Sequence, residues 1–358
     1  MTPQPLLGVI LHAIGGLAAG SFYAPLNKVK RWAWESFWLV MGVSAWLVMP
    51  WIVAWITTPE LLSVISNSPP RALTLCIVFG GLWGLGSLTF GLSVRYLGMA
   101  LGFSVALGFC MTFGTLVPPI YDGLTGSAED WRKLVEMFTT TAGLAVLSGV
   151  GVCLAGIGLC GWAGICKDAE LTDQQRRETI REFSLRTGFL VATFSGILSA
   201  CFAFGLAAGK PIAKISEQMG TEPLFSNNVV LVVILIGGFA SNALWCLILN
   251  IRNRTYRDYV TGPAGRQICN YFLSTLGGAI WYGQFFFYGM GTTKLGEKYD
   301  FSSWSIHMAF IIVFSNLWGI VFHEWRGTSW RTKALVWAGI LTLIASTAVI
   351  GCGNFLAK

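Results

Sequence analysis

Three histidines occur in this chain, His12, His307 and His323, and the first two stand inside apolar stretches. Imidazole changes charge near neutral pH and is costly to expose to lipid, so a histidine within a membrane segment can take up and release a proton in step with another event. Gly8, His12, Gly16 and Gly20 recur every four residues. That spacing puts them on one helix face, where G-x-x-x-G lets another helix approach closely. Asp300, Trp304 and His307 stand at i, i+4 and i+7 and share a face in the same way. Each histidine lies about seven residues into its segment, or roughly 10 Å at helical rise, so the two are expected at similar depth. Each can be read as a proton carrier or as a neutral core imidazole bonded to a backbone carbonyl. His323 and Glu324 read as interface residues.

The run WYGQFFFYG carries a second kind of chemistry. Trp281, Gln284 and Tyr288 stack along one face, and a buried glutamine needs partners. Flat rings beside amide and hydroxyl groups suit a sugar, whose C–H faces pack on aromatics while its hydroxyls need donors and acceptors. Plain packing is the other reading of such a stripe. Trp83 and Trp281 each fall about eleven residues into segments running in opposite directions, which puts both near mid-membrane. Glu35, in RWAWESFW, follows Lys28, Lys30 and Arg31 and reads as a surface ion pair or as a coupling carboxylate. Asp122, after Pro118 and Pro119, reads as a turn residue.

The elements that must position these side chains are membrane helices. The chain is 54% hydrophobic and 11% charged, with 43 glycines and 16 tryptophans, and a bilayer core roughly 30 Å thick is crossed by about 20 apolar helical residues. Ten such segments are expected, at 5–25, 35–58, 72–94, 98–121, 139–162, 187–208, 224–250, 270–291, 301–323 and 333–355. This predicts an all-α polytopic membrane protein and excludes a soluble one. The net charge of +7 resides in the connections, so it implies no nucleic-acid partner. The nine cysteines lack C-x-x-C or metal-ligand spacing and read as small packing residues, leaving no metal site. The first segment has neither the charged start nor the cleavage site of a signal peptide and reads as span one. Hydrolase, zinc-protease and phosphate-loop motifs are missing, so an enzyme is not expected, nor any cofactor.

A polar connection at 164–186 separates an N-terminal half, 1–163, from a C-terminal half, 187–358, with five segments in each. Most of the 24 Lys and Arg residues fall in odd-numbered connections, which places those in the cytoplasm and both termini outside. Shifting the chain along itself lays Gly8–Phe22 on Gly188–Phe202, and Gly81–Gly91 on Ala279–Gly289 with Trp83 on Trp281. Span one thus resembles span six, and span three resembles span eight. Repeats of five spans enter the membrane from opposite sides, so two five-helix inverted repeats are expected, an arrangement that transporters rock around a midplane site.

Longer strings carry a family likeness. FYAPLNKVKRWAWE (Phe22–Glu35) behind His12, RYLGM (Arg95–Met99), STLGG and WY.QFFFYG within Ser274–Gly289, YDFSSW..HM (Tyr299–Met308) and HEW (His323–Trp325) resemble the bacterial L-rhamnose–proton symporters of the drug/metabolite transporter superfamily, along the whole chain. The chain departs from the enteric pattern after span five and in the loop from Tyr121 to Thr139, which leaves the preferred sugar open. The resemblance implies ten helices, an inner-membrane location and uptake of L-rhamnose with protons by alternating access, with L-lyxose and deoxy sugars similar to rhamnose as further substrates. It also implies both termini inside, against the charge count. On this reading His12, His307, Glu35 and Asp300 are the candidates for proton coupling, and Trp83, Trp281, Tyr282, Gln284, Trp304 and Asn316 for sugar binding. The bilayer, protons and sugar are the expected partners. A metabolite exporter or exchanger and a membrane sugar sensor without turnover stand as alternatives.

Overall fold

The computed structural model describes residues 4–170, 185–296, 301–323 and 325–357. Among them there is no strand, and the helices run in order α1 (Pro5–Leu26), α2 (Trp34–Thr57), α3 (Leu61–Asn67), α4 (Pro70–Thr125), α5 (Ala128–Thr139), α6 (Thr141–Glu170), α7 (Leu185–Ala208), α8 (Lys210–Gln218), α9 (Asn227–Asn253), α10 (Ala264–Leu295), α11 (Ser302–Val321) and α12 (Trp330–Leu356). Nine stretches of the described residues are long and apolar enough to cross a membrane. The expected span at 270–291 is not among them. It is helical, within the 32-residue α10, but its apolar character is diluted by polar side chains that face protein: Asn270, Ser274 and Gln284 are all buried.

Helix α4 holds two of the nine stretches, Pro70–Phe90 and Ser104–Thr125, in one run of helical residues. Its contacts with α7 show that the chain doubles back. Cys76 Sγ donates to Gly205 O, Gly86 packs on Leu198 and Ser199, and Tyr96 and Leu97 pack on Gly188; thereafter Ala106 and Phe109 pack on Gly196. The position met on α7 falls from 205 to 188 and then climbs to 196, so α4 reverses near 97–103. Its two arms cover the expected segments 72–94 and 98–121.

Helix α2 is interrupted by a π-helical turn at Val43–Val48. Pro50 explains it: proline has no N–H to offer the carbonyl four residues back, at Trp46, and its ring crowds that carbonyl. The ladder widens instead, with Met49 N donating to Ser44 O, and a π turn of this kind redirects the side chains it carries. Ser44 Oγ donates to Thr275 O at 2.9 Å, tying the widened turn to α10.

The two halves of the chain are interlocked. Helix α1 packs on α10 and α11, α7 on both arms of α4, α2 on α10, α9 on α4, and α6 on α12. The predicted glycine face of α1 makes this possible: Gly8 meets Gly291 and Leu295 of α10, while Gly16 and Gly20 meet Phe310 and Phe314 of α11. Helix α9 runs through the middle, with Val229 to Leu235 buried on every side, as a helix apolar all round must be.

Candidate functional site

The close packing of α1 against α10 and α11 brings His12 and His307 face to face. Their ring centroids are 6.0 Å apart, and Tyr288 of α10 lies against both, at 5.2 Å from His12 and 5.1 Å from His307. Both histidines are fully buried. Small residues allow the approach: a methyl group on Gly15 would touch the His307 ring, and one on Gly291 the His12 ring. None of the four ring nitrogens has a hydrogen-bond partner among the described residues. An unpaired polar atom in a dry interior costs on the order of 1–3 kcal/mol, so two imidazoles left in this state form a site that gains from a polar partner such as a hydroxyl. Two positive rings this close repel strongly where water is excluded, and the pair holds one charge more readily than two.

An aromatic cluster adjoins the histidines. Tyr288 contacts Trp304 at 5.9 Å, Phe285 lies 6.2 Å from His307, and Phe202 of α7 stacks on Phe285 at 4.0 Å. Beyond them Trp46, Trp83 and Trp281 meet in a triangle with centroids 5.6–6.0 Å apart. Trp83 and Trp281, which the shift of the chain along itself lays on each other, are in contact. Polar groups are interleaved with the rings: Trp304 Nε1 donates to Cys110 O, Gln284 Nε2 donates to Trp281 O, and the buried Tyr282 hydroxyl and Trp46 Nε1 have no partner among the described residues. Rings, unpaired donors and two imidazoles converge from both halves of the chain, and the cluster is closed to solvent.

Five of the six candidate sugar-binding residues, Trp83, Trp281, Tyr282, Gln284 and Trp304, are buried on the helices that form this centre. Asn316 stands apart from it. It is half-buried nine residues beyond His307, about 13 Å along α11, and donates to Ile312 O of its own helix. Asp300 and Glu324 lie outside the described residues. His323 is exposed at the end of α11. Asp122 lies within the last turn of α4 and accepts from Gly126 N.

Glu35 is not the surface ion pair that its basic neighbours implied. Its side chain is 6% exposed, and Oε1 accepts from Asn253 Nδ2 and Thr255 Oγ1, each at 2.9 Å. It belongs to a hydrogen-bonded clasp at one end of the bundle. There Asp258 accepts from Ala33 N and Ser36 Oγ, Asn270 bonds both the N–H and the carbonyl of Lys30, and Trp32 Nε1 donates to Gln267 Oε1. These bonds join the connection before α2 and the start of α2 to the end of α9, the segment that follows it and the first turns of α10.

Trp46 and Phe202 were not singled out from the sequence. Trp46 has a signal in hindsight, since Pro50 four residues later widens the helix and turns the indole inward. Phe202 stands in an ordinary apolar run, where nothing in its spacing separates it from lipid-facing neighbours.

A family model described as L-rhamnose-proton symport protein (RhaT) matches residues 1–356. Proteins named L-rhamnose-proton symporter are similar along their whole length. That of Citrobacter koseri is 32% identical over 97% of both chains, that of Mannheimia succiniciproducens 32% over 97% of this chain and 98% of its own, and that of Yersinia pestis 31% over the same shares. A solved crystal structure 15% identical in sequence superposes with a TM-score of 0.55, covering 96% of this chain and 95% of its own, which shows a shared fold and nothing more. A multi-pass helical membrane protein with buried histidines among aromatic rings, matched from end to end, is thereby placed: the chain belongs to the L-rhamnose–proton symport protein family.

Proposed function

We propose that this chain is a secondary transporter, not an enzyme, which carries L-rhamnose into the bacterial cell across the inner membrane together with protons. The observation that carries this reading is the buried His12–Tyr288–His307 contact, with 6.0 Å between the imidazoles, set against aromatic rings able to take the apolar face of a deoxy sugar. In this mechanism His12 and His307 hold the proton and the tryptophan triangle, Tyr282, Gln284 and Trp304 hold the sugar. Asp300 and Glu35 are further candidates for coupling, with Asn316 outside the central cluster. The pentose L-lyxose and deoxy sugars similar to rhamnose are further substrates on this reading.

Ten membrane passes follow when α10 and both arms of α4 are counted. The interlocked packing supports two inverted repeats, 1–163 and 187–358, joined by 164–186. Moving each span five places along exchanges one set of contacts for the other: the first span on the eighth and ninth becomes the sixth on the third and fourth, and the second on the eighth becomes the seventh on the third. Such a pair of repeats rocks around a shared centre. The cluster is closed over itself, so sugar can enter only when helices separate at one end. With odd connections in the cytoplasm, the clasp around Glu35 and Asp258 is the inner closure, which must open to release sugar inward.

The first test is the external pH of weakly buffered, de-energised cells expressing the protein. L-Rhamnose should alkalinise the medium and L-fucose should not. His12→Ala and His307→Ala should each reduce that signal to the level of cells without the protein. Rhamnose binding with no pH change would instead indicate a sensor, an exchanger or a differently coupled carrier, and coupled uptake surviving in both variants would remove the histidines from the mechanism.

A further inference from the structure

A cavity of about 280 Å³ lies far from the histidine centre, where α11 ends and α12 begins, lined by Ile320, Trp325 and Val336 with the cations Arg326 and Lys333 at its rim. Its lining is apolar below and basic above. Arg326 and Lys333 are exposed, and neither makes an ion pair within 4 Å among the described residues, although the charge of Lys333 is felt by Glu170. A third cation, Lys167 at the end of α6, lies 5.1 Å over the Trp325 ring. A carboxylate described at this end is already engaged: Glu170 accepts from Ser329 N, Ser329 Oγ and Thr332 Oγ1, each at 2.6 Å, and so caps the start of α12. Trp337 of the lining and the neighbouring Val321 and Phe322 are exposed, as side chains in contact with acyl chains would be.

We propose that this cavity binds an anionic phospholipid, its phosphate between Arg326 and Lys333 and its upper chains against Ile320, Val336 and Trp337. Arg326, Lys333 and Lys167 outnumber Glu170, the carboxylate described beside them, and the surplus of positive charge calls for an anion. The apolar floor and flank call for one attached to hydrocarbon, which free phosphate is not. Basic pockets between membrane helices at the cytoplasmic face meet a leaflet rich in anionic lipid, and this connection faces the cytoplasm in the orientation proposed above. The lipid would also bridge the ends of α11 and α12, the first of which carries His307.

Native mass spectrometry of the purified full-length protein, titrated with phosphatidylglycerol, tests the assignment. Arg326→Gln with Lys333→Gln should weaken lipid retention roughly tenfold or more, each cation near the surface contributing to the attraction. Arg326→Lys with Lys333→Arg should retain the lipid, and so should Arg132→Gln with Lys133→Gln, which removes two cations from the exposed α5. Undiminished retention in the first variant would overturn the proposal, as would phosphatidylcholine held as tightly as phosphatidylglycerol or inorganic phosphate displacing the lipid at equal concentration.

Discussion

At the scale of single residues, the geometry of the centre depends on the absence of side chains as much as on their presence. A Cβ at Gly16 would stand 2.4 Å from Phe310 Cβ and 2.8 Å from its carbonyl carbon, and backbone cannot yield that far without α1 leaving α11. Overpacking of this kind costs about 1–3 kcal/mol. Gly16→Ala should therefore lower the thermal midpoint of the detergent-solubilised protein and slow proton-linked uptake, because His12 sits one turn away on the same helix. Gly151→Ala is the control, since its Cβ would meet nothing within 4 Å and both measurements should stay unchanged. The histidine pair was legible in the sequence for the same reason that Gly16 matters: the four-residue spacing from Gly8 to Gly20 defines the face, and equal depth from the same side brings the rings level. The ion-pair reading of Glu35 failed because the groups it bonds, Asn253 and Thr255, are more than 200 residues away, and nothing near it in sequence reports them.

Among the elements, α2 shows how one backbone irregularity selects a side chain. Each residue turns a regular helix by about 100°, so the extra residue in the π turn decides whether Trp46 faces Trp83 and Trp281 or the lipid. Pro50→Ala restores the missing donor and should let the turn close to regular α-helix. The expected outcome is a several-fold higher KM for rhamnose uptake with a shifted tryptophan emission maximum, and uptake kinetics together with fluorescence spectra check it; an unchanged KM would separate the π turn from sugar binding. Elements were readable from hydropathy wherever a helix meets lipid, as α12 does. One feature escaped that measure: helix α10 is the least apolar of the long helices because its polar face meets protein. The reversal of α4, by contrast, was marked by Arg95, which separates the expected segments 72–94 and 98–121 although the helical run is unbroken. Nine of the ten expected stretches are apolar enough, and the exception bears the aromatic and amide groups of the centre.

For the whole molecule, the pairing of α6 with α12 is fastened at one end by Glu170. Hydrogen bonds from the Ser329 hydroxyl, Thr332 and the Ser329 N–H hold its carboxyl below the ordinary value of 4.5. A carboxyl depressed on folding contributes stability above its unfolded value and loses it as pH falls through the folded one. Wild type should thus exceed Glu170→Gln in thermal midpoint near neutral pH. The difference should shrink only below about pH 4.5, as the wild-type carboxyl protonates, and midpoints recorded from pH 7 to pH 3 would display it. A constant difference across that range would mean that the glutamate acts by shape alone.

The interlocking of the halves also fixes an order of events during synthesis. Helix α1 leaves the ribosome first, yet the helices it packs against, α10 and α11, are made near the end, ahead only of α12. At about 5–20 residues per second it waits roughly 15–60 s for them. Throughout that interval the glycine face and His12 have no partner of their own chain to cover them. The first span must therefore persist alone in the bilayer or be sheltered by the insertion machinery, and the proton site comes into existence only when the chain is nearly complete.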